Sequence, residues 1–264
     1  MDTLNNKLIE SKNLTYKVNG KFLINDISIQ INQGDMVSII GPNGSGKSTL
    51  MKLFSGEINP TNGYIKIQNK FINEWDMISL AKERSILSQT NNLSFPFKVI
   101  DIVKMGRYPY FNDQNNNHKI CELLIRKFDL KDYINRNYTT LSGGEKQRVH
   151  LARVFSQIWS DNFESKVVLL DEPTSFLDIK HQFMLFKFLF ELNLKGLTVI
   201  MVLHDINQAI DVSKKIIMLK DSQLLNFSNE KDCITTNNLK KLFDIDLDIV
   251  TSNKLDKKII TFKN

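Results

Sequence analysis

A glycine-rich stretch between a short apolar run and a helical pattern carries the clearest chemical signal in this chain. Residues 41–48 read GPNGSGKS and fit G-x-x-x-x-G-K-[ST] at every fixed position. Glycines let the backbone curl until several N–H groups converge on one anion, and Lys47 adds a positive charge. The Ser48 hydroxyl is an oxygen ligand suited to Mg²⁺. The stretch predicts a site for nucleotide phosphates, formed by Gly41, Pro42, Asn43, Gly44, Ser45, Gly46, Lys47, Ser48 and Thr49.

Two neighbouring carboxylates end a second apolar run. Asp171 and Glu172 follow Val167–Leu170, which reads as a short buried strand. Ligands gather at the carboxyl ends of strands in open α/β sheets, where one carboxylate can hold Mg²⁺ and its neighbour can polarise an attacking water. Two such acids often only cap a turn, but the phosphate loop upstream favours catalysis. The pair therefore predicts that the nucleotide is hydrolysed.

Strand and helix patterns alternate around these two stretches. Asn19-Gly20 supplies the positive φ angles of a two-residue hairpin turn. Strands are predicted at Leu14–Val18, Phe22–Ile24, Asp26–Ile31, Met36–Ile40, Val167–Leu170, Val199–Leu203 and Ile216–Leu219. Helices are predicted at Leu50–Ser55, Val99–Met105, Lys119–Phe128, Gln147–Ile158 and Gln182–Leu192. This alternation indicates an α/β fold whose core sheet is largely parallel.

The stretch from about residue 90 to 160 differs from the rest of the chain. It contains Pro96, Pro109 and the Asn-rich segment Asn112–Asn117, and otherwise reads as helix. A long helical stretch between strand-rich regions predicts a helical subdomain inserted into the α/β core.

The composition is that of an ordinary soluble globular protein. Among 264 residues, 42% are hydrophobic and 24% charged, which excludes a disordered, collagen-like or disulfide-scaffold protein. Lys and Arg outnumber Asp and Glu by 35 to 29, so the net charge is +6. That excess could serve nucleic acid or an anionic membrane. Because most of the cations are Lys spread along the chain, a solvated basic surface is favoured and no nucleic-acid partner is expected. The basic run Lys254–Lys258 could likewise bind anionic lipid, but a solvated segment is favoured.

The cysteine content and the hydropathy of the chain indicate the compartment in which it is expected to function. Cys121 and Cys233 lie far apart without metal-ligand spacing, as in a protein of a reducing compartment. Residues 1–12 show no apolar signal-peptide core, so none is expected. No apolar run approaches the roughly 18 residues of a spanning helix, so this chain is not expected to cross a membrane itself.

A third motif, LSGGE at residues 141–145, resembles the signature of the ATP-binding cassette (ABC) family, and the likeness extends over nearly the whole chain. It implies a P-loop NTPase cassette: a RecA-like mixed sheet core with an N-terminal antiparallel β subdomain and an inserted helical subdomain. A single domain over 1–264 then comprises the core, 1–89 and 161–264, and the helical part, 90–160. Two glycines opening a helix make an anion-receptive N-terminus. Ser142 and Glu145 also suit a capping box, and both roles can hold.

In that family two cassettes face each other head to tail, so that each signature closes on ATP held by the other chain. One phosphate loop and one signature in this chain therefore imply a homodimer with two shared ATP sites. The resemblance assigns the signature's ATP contacts to Ser142, Gly143, Gly144 and Glu145.

The resemblance also implies roles for single residues outside these motifs. Tyr16 matches the aromatic residue that stacks on adenine, although a ring there could simply pack in the sheet. Gln89 matches the Q-loop glutamine, which contacts Mg²⁺ and the attacking water and reports to the transporter partner. His204 matches the switch histidine that holds the γ-phosphate. In this scheme Asp171 holds Mg²⁺ and Glu172 is the general base.

Asp178 matches the D-loop aspartate, which lies across the cassette dimer interface. The family usually has a small residue where Phe176 stands, so the packing around Phe176 departs from the family pattern. Lys146 replaces a common Gln and is expected to be exposed.

A cassette without a membrane span implies either the ATPase of a membrane transporter or a soluble ATPase acting on nucleic acid or ribosomes. The soluble class usually carries two cassettes, coiled coils or zinc insertions, so the transporter is favoured. The resemblance then implies two integral-membrane permease subunits and, indirectly, a periplasmic or extracellular substrate-binding protein. It places this chain peripherally at the cytoplasmic face of the bacterial inner (cell) membrane.

Four further segments narrow the transporter class. Two of them, Ser94–Val99 and Met105–Tyr110, resemble segments of the ATPases of bacterial importers of iron-siderophores, haem and cobalamin. The Trp-containing link from Leu151 to Lys166 and the stretch Asp178–Gln182 are similar to haem (hemin) importer ATPases. Haem is therefore the expected cargo, with a siderophore or cobalamin as the alternatives.

Overall fold

The computed structural model describes residues 6–89, 93–252 and 257–262. The chain divides into two compact units. The first unit comprises residues 1–74 and 200–264, and the second comprises residues 75–199. Residues 254–256 of the basic run near the C-terminus lie outside the described residues.

The elements follow in chain order. The strands are β1 Lys7–Val18, β2 Lys21–Asn32, β3 Met36–Ile40, β4 Asn62–Ile67, β5 Lys70–Phe71, β6 Arg84–Leu87, β7 Val167–Asp171, β8 Thr198–Val202, β9 Lys215–Lys220, β10 Gln223–Asn229, β11 Leu247–Ser252 and β12 Lys257–Phe262. The α-helices are α1 Lys47–Ser55, α2 Met77–Glu83, α3 Val99–Met105, α4 Gln114–Lys127, α5 Gly143–Ile158, α6 Ile179–Asn193, α7 Ile206–Val212, α8 Glu230–Cys233 and α9 Thr236–Phe243. Short 3₁₀ turns lie at Ile72–Glu74, Tyr108–Tyr110, Lys131–Tyr133 and Tyr138–Thr140.

An antiparallel sheet in the order β2-β1-β4-β5 forms the N-terminal part of the first unit. The predicted hairpin turn is confirmed, since Asn19 and Gly20 both have positive φ, 49° and 78°, between the paired Val18 and Lys21. The two strands predicted after that turn are one strand, β2. Asp26, with φ 55°, lies within it near a register irregularity, and this local break explains the split prediction.

The phosphate-loop strand β3 is buried at all five residues. It pairs in parallel with β9, β9 pairs antiparallel with β10, and β8 lies on the other side of β3. A run that is apolar except for Ser38 is typical of a strand covered on both faces, which is why the bounds of β3 were predictable. The predicted α/β fold with a mixed sheet is confirmed.

The second unit packs its helices around an aromatic cluster. Strands β6 and β7 pair in parallel. Phe128, at the end of α4, stacks on Phe155 of α5, and both rings meet Phe188 of α6 edge to face. Trp159, directly after α5, stacks on Phe188 and contacts Phe163. These rings fix α5 and α6 against each other, and the chemically interesting segments lie at the N-terminal ends of both helices.

Four helices begin three to five residues earlier than predicted. The predicted starts were Leu50, Lys119, Gln147 and Gln182, whereas the helices begin at Lys47, Gln114, Gly143 and Ile179. Three of them are capped by polar side chains that accept backbone N–H groups, from Asp113, Ser142 and Asp178. Apolar periodicity does not register polar first turns, so it placed each start too late. None of the helices in the described part of the chain has the length and hydropathy of a membrane span.

Candidate functional site

The phosphate loop needs glycine at two positions. Gly46, the N-cap of α1, has φ 102°, and a Cβ atom there would lie 2.5 Å from the carbonyl oxygen of Leu23. Gly41 has φ 155°, and its Cβ would collide with the carbonyl oxygen of Leu219. Neither conformation nor space admits a larger residue, so these glycines keep the loop close to β2 and β9.

Lys47 and Ser45 are buried within this loop. The Lys47 ammonium donates to the carbonyl oxygens of Gly41, at 2.8 Å, and Pro42, at 2.9 Å. Ser45 Oγ has no hydrogen-bond partner among the described residues. A buried hydroxyl without a partner costs about 1–3 kcal/mol, and a phosphate oxygen would satisfy it. The loop therefore fits an anion.

The N-terminal end of α1 also suits an anion. Within this helix no side chain caps the first turn and no acid lies in it, while Lys47, Ser48 and Thr49 supply its first backbone N–H groups. The positive end of the helix dipole and these N–H groups favour a bound negative charge.

Tyr16 and His204 also lie in the first unit. Tyr16 is half-buried in β1, where it pairs with Ile24 of β2. His204 is exposed two residues after the end of β8. The next residue, Asp205, caps α7 by accepting N–H groups of Asn207 and Gln208 at 2.8 and 3.2 Å. Asn207 exchanges two side-chain hydrogen bonds with the backbone of Ile260 in β12, at 2.8 and 3.2 Å, which steadies the start of this helix.

The two acids stand at the end of β7 in the second unit. Asp171 is buried, whereas Glu172 is half-buried with a left-handed φ of 52°. Gln89, exposed after β6, donates from Nε2 to Glu172 Oε1 at 2.9 Å. Ser175 Oγ donates to Glu172 Oε2 at 3.3 Å. Both carboxylate oxygens of Glu172 are thus held by side chains that follow nearby strand ends.

Gln147 also holds Glu172, and sequence reasoning missed it. Its Nε2 donates to the carbonyl oxygens of Pro173, at 3.1 Å, and Glu172, at 3.5 Å. This links the first turns of α5 to the strained backbone after β7. The available signal was position alone, because Gln147 follows the signature motif by two residues.

The predicted capping box at the start of α5 is confirmed. Ser142 N–H donates to Glu145 Oε2 at 2.7 Å, and Glu145 N–H donates to Ser142 Oγ at 3.3 Å. The hydrogen bond from the Ser142 backbone holds the pKa of the Glu145 carboxyl below its ordinary value. Phe176, exposed and with φ 67°, lies over Gly143 and Gly144, where a Cβ on Gly144 would meet the Phe176 carbonyl oxygen at 2.7 Å. Glycine at position 144 therefore admits the backbone carbonyl of Phe176, whereas a Cβ on Gly143 would lie at ordinary contact distance from the Phe176 ring, 3.5 Å.

Asp178 caps α6. Its Oδ1 accepts the backbone N–H of His181 at 2.8 Å and lies 2.8 Å from His181 Nδ1. The backbone N–H is the larger cause that lowers the pKa of Asp178. The carboxyl group is exposed, so the cap leaves it accessible at the surface.

The predicted metal ligands are oxygen donors of the kind that Mg²⁺ prefers: the Asp171 carboxylate, the Ser48 hydroxyl and the Gln89 amide oxygen. Over the described ranges no three His, Cys, Asp or Glu side chains form a metal-binding group. This donor chemistry fits a Mg²⁺ that arrives with a nucleotide and takes most of its ligands from phosphate and water. The first unit carries Tyr16, the phosphate loop and His204, and the second carries Gln89, the signature, the acid pair and Asp178.

Comparisons with known proteins agree with these motifs. The chain is 36% identical over 246 residues to Hemin import ATP-binding protein HmuV of Escherichia coli O157:H7, covering 92% of this chain and 94% of that protein. It is 37% identical over 241 residues to the protein of the same name from Aliivibrio fischeri (strain ATCC 700601 / ES114), covering 91% and 92%.

A solved structure of an ABC transporter cassette has the same fold. The dimeric structure of MJ0796, a bacterial ABC transporter cassette, superposes with a TM-score of 0.73 at 28% identity, covering 84% of this chain and 99% of that one. The sequence profile described as ABC transporter matches residues 24–175, a range that holds the phosphate loop, the signature and the acid pair. With more than half of the chain matched and relatives above 30% identity over nine-tenths of it, the chain belongs to the ABC transporter family.

Proposed function

We propose that this chain is the ATP-hydrolysing subunit of a bacterial importer that takes up haem through a separate permease. Membership of the ABC transporter family supplies ATP binding and hydrolysis coupled to transport. The observation that carries the haem assignment is the pair of hemin import relatives at 36% and 37% identity, each matched over more than nine-tenths of its length.

In this proposal the first unit binds the nucleotide. The backbone N–H groups of residues 41–49, the buried Ser45 hydroxyl and the Lys47 ammonium hold the phosphates. Tyr16 stacks on adenine, giving affinity with little base specificity. His204 binds the γ-phosphate.

Glu172 is the general base of the proposed reaction. It accepts a proton from the attacking water, and Gln89, hydrogen-bonded to it at 2.9 Å, orients that water. Asp171, Ser48 and Gln89 would hold Mg²⁺, which supplies charge neutralisation at the phosphates. Residues 142–145 and Asp178 of one copy meet the ATP held by another.

ABC cassettes function as dimers with membrane permease subunits. We extend this to a homodimer on two permease subunits, peripheral at the cytoplasmic face of the inner membrane and served indirectly by a substrate-binding protein. We also propose that residues 90–160 form the helical subdomain of a single cassette domain. Exposed Phe95 and Tyr108 belong to the two segments that look like the siderophore, haem and cobalamin importers, and they suit permease docking.

The test is reconstitution with a candidate haem permease from the same organism. ATPase activity is measured with haem, a ferric siderophore or cobalamin supplied together with the matching binding protein. ATPase activity that is stimulated only by haem supports the proposal. Stimulation by a siderophore or by cobalamin instead would make that compound the cargo, and the chain would still be an importer ATPase. The Glu172→Gln variant serves as the inactive control. ATPase activity that no permease or cargo changes would instead indicate a soluble ABC ATPase.

A further inference from the structure

His181, in the first turn of α6, lies between two carboxylates of the second unit. Its Nδ1 is 2.8 Å from Asp178 Oδ1, and its Nε2 is 3.4 Å from Asp129 Oδ2. The His181 side chain is 15% exposed, whereas those of Asp178 and Asp129 are 65% and 55% exposed. The half-buried ring therefore links two acids that are otherwise open to solvent.

Asp129, just after α4, is anchored in turn to the helix that begins with the signature. The guanidinium of Arg148, buried in α5, donates to the backbone carbonyl oxygen of Asp129 and lies 3.8 Å from its carboxylate. Lys180 Nζ also pairs with that carboxylate, at 3.5 Å. The hydrogen bond to His181, followed by the charges of Lys180 and Arg148, holds the pKa of Asp129 below its ordinary value. Asp178 is thereby connected through His181 and Asp129 to α5.

Only the charged imidazolium can donate a hydrogen bond to both carboxylates. A neutral imidazole has one N–H and one lone pair, so one ring nitrogen would face a carboxylate oxygen with no proton between them. The imidazolium has an N–H at each nitrogen, and the opposite charges strengthen both hydrogen bonds. The pair of contacts at His181 therefore fits a ring that carries both protons.

Three cations lie near the ring. Lys180 is on the same helix, while Lys127 of α4 and Arg148 of α5 line the same small cavity as His181. Each of these cations is paired with an acid. Among the described residues, the charged groups that the ring contacts directly are the two carboxylates.

We propose that His181, as an imidazolium, is a positioning residue that links Asp178 to Asp129 and so fixes Asp178 for ATP hydrolysis. This inference rests on the proposed function, in which Asp178 of one copy meets the ATP held by another. When the ring loses one proton, one of its two links is lost and Asp178 is held less firmly. The start of α6 stays capped, because Asp178 Oδ1 still accepts the backbone N–H of His181 at 2.8 Å.

The first experiment measures the kcat of ATP hydrolysis by the full chain between about pH 5.5 and 8, where histidine ordinarily titrates. His181→Gln removes the charge, whereas His181→Lys keeps a charge and its donors over this range. Wild type is expected to match His181→Lys at low pH and to fall about tenfold, towards His181→Gln, at high pH. Ratios of kcat at each pH remove the contribution of other titrating groups.

His118→Gln is the matched control. It breaks the contact of another histidine with a single carboxylate, Glu122, at 3.3 Å in α4. Its profile is expected to follow wild type. A wild-type profile parallel to that of His181→Lys, or a lysine variant as slow as His181→Gln, would overturn the inference and leave the proposed ATPase in place. Absence of hydrolysis by wild type at every pH would refute the proposed function.

A second experiment tests the link itself without ATP. His181→Gln, Asp129→Asn and the double variant are unfolded in urea at about pH 5.5 and 8. At the lower pH the effects of the single variants on the unfolding equilibrium constant are expected to be non-additive by about two- to fivefold. At the higher pH they are expected to become additive, since the ring has lost its charge. Additive effects at both pH values would overturn the link between His181 and Asp129.

Discussion

Gln89 Nε2 lies 2.9 Å from Glu172 Oε1 and donates a hydrogen bond to it. The oxygen proposed to accept a proton from water therefore also accepts an amide N–H, and a carboxylate oxygen can accept a second hydrogen bond, from water, at the same time. The contact thus ties the proposed base to Gln89, which we propose reports to the permease.

Glu172→Gln keeps the oxygen that accepts the hydrogen bond from Gln89 but removes the proton acceptor. ATP turnover is expected to fall about 10²–10⁴-fold, the range for loss of a general base. ATP affinity is retained, so ATP-bound dimers accumulate. A steady-state ATPase assay and sedimentation with ATP measure the two effects. Hydrolysis at the wild-type rate would refute the assignment of the base.

Gln147→Met removes the two hydrogen bonds that hold the backbone of Glu172 and Pro173. Because the side chain hydrogen-bonds the backbone that positions the proposed base, kcat is expected to fall about tenfold while the KM for ATP changes less than about twofold. Steady-state kinetics at varied ATP measure both values.

The matched control for Gln147 is on the same helix. Gln157 Nε2 donates to the carbonyl oxygens of Ala81 and Arg84, both at 3.0 Å and away from Glu172. Gln157→Met loses an equivalent pair of hydrogen bonds, so its kcat is expected to stay near wild type. An equal loss of kcat in both variants would show that Gln147 acts through helix stability alone.

Gly46→Ala tests the close approach of the phosphate loop to β2. Alanine pays for the left-handed φ, about 1–2 kcal/mol, and its Cβ also meets the Leu23 carbonyl at 2.5 Å, so the loop must shift. ATP affinity is expected to fall at least about tenfold by calorimetry. Gly20→Ala, at φ 78° with open space around it, carries only the conformational cost and should bind ATP normally. Normal affinity in Gly46→Ala would contradict the packing.

Glu145→Gln tests the capping box through pH. The folded pKa of Glu145 is lowered below its ordinary 4.5, so the charged form stabilises the folded chain above that pH. This stability is lost as the pH falls through the lowered value. The difference in free energy of unfolding between wild type and the variant, measured in urea, is therefore expected to be constant well above the ordinary pKa of 4.5 and to shrink as the pH falls below it. An advantage independent of pH would show that hydrogen-bond geometry, rather than charge, maintains the cap.

The fold class and buried strands could be predicted because they depend on apolar runs. All five residues of β3 are buried, and its bounds match the prediction. The start of α3 at Val99 matches the prediction, but the other four helix starts were placed too late, since α6, for example, begins at Ile179 through a cap by Asp178. The role of Gln147 depends on which carbonyls face it after folding. Phosphate-loop chemistry was predictable because glycine, lysine and serine must follow a fixed order there.

The close packing of Gly46 beneath the Leu23 carbonyl has a thermodynamic consequence. Leu23 precedes Ile24, which pairs with Tyr16, so the proposed base-stacking residue and the phosphate loop share one short stretch of β2. If binding orders either end, this shared stretch is expected to restrict the other, so the two halves of a nucleotide would not be independent ligands. Adenosine and inorganic triphosphate offered together should each bind more tightly than when offered alone.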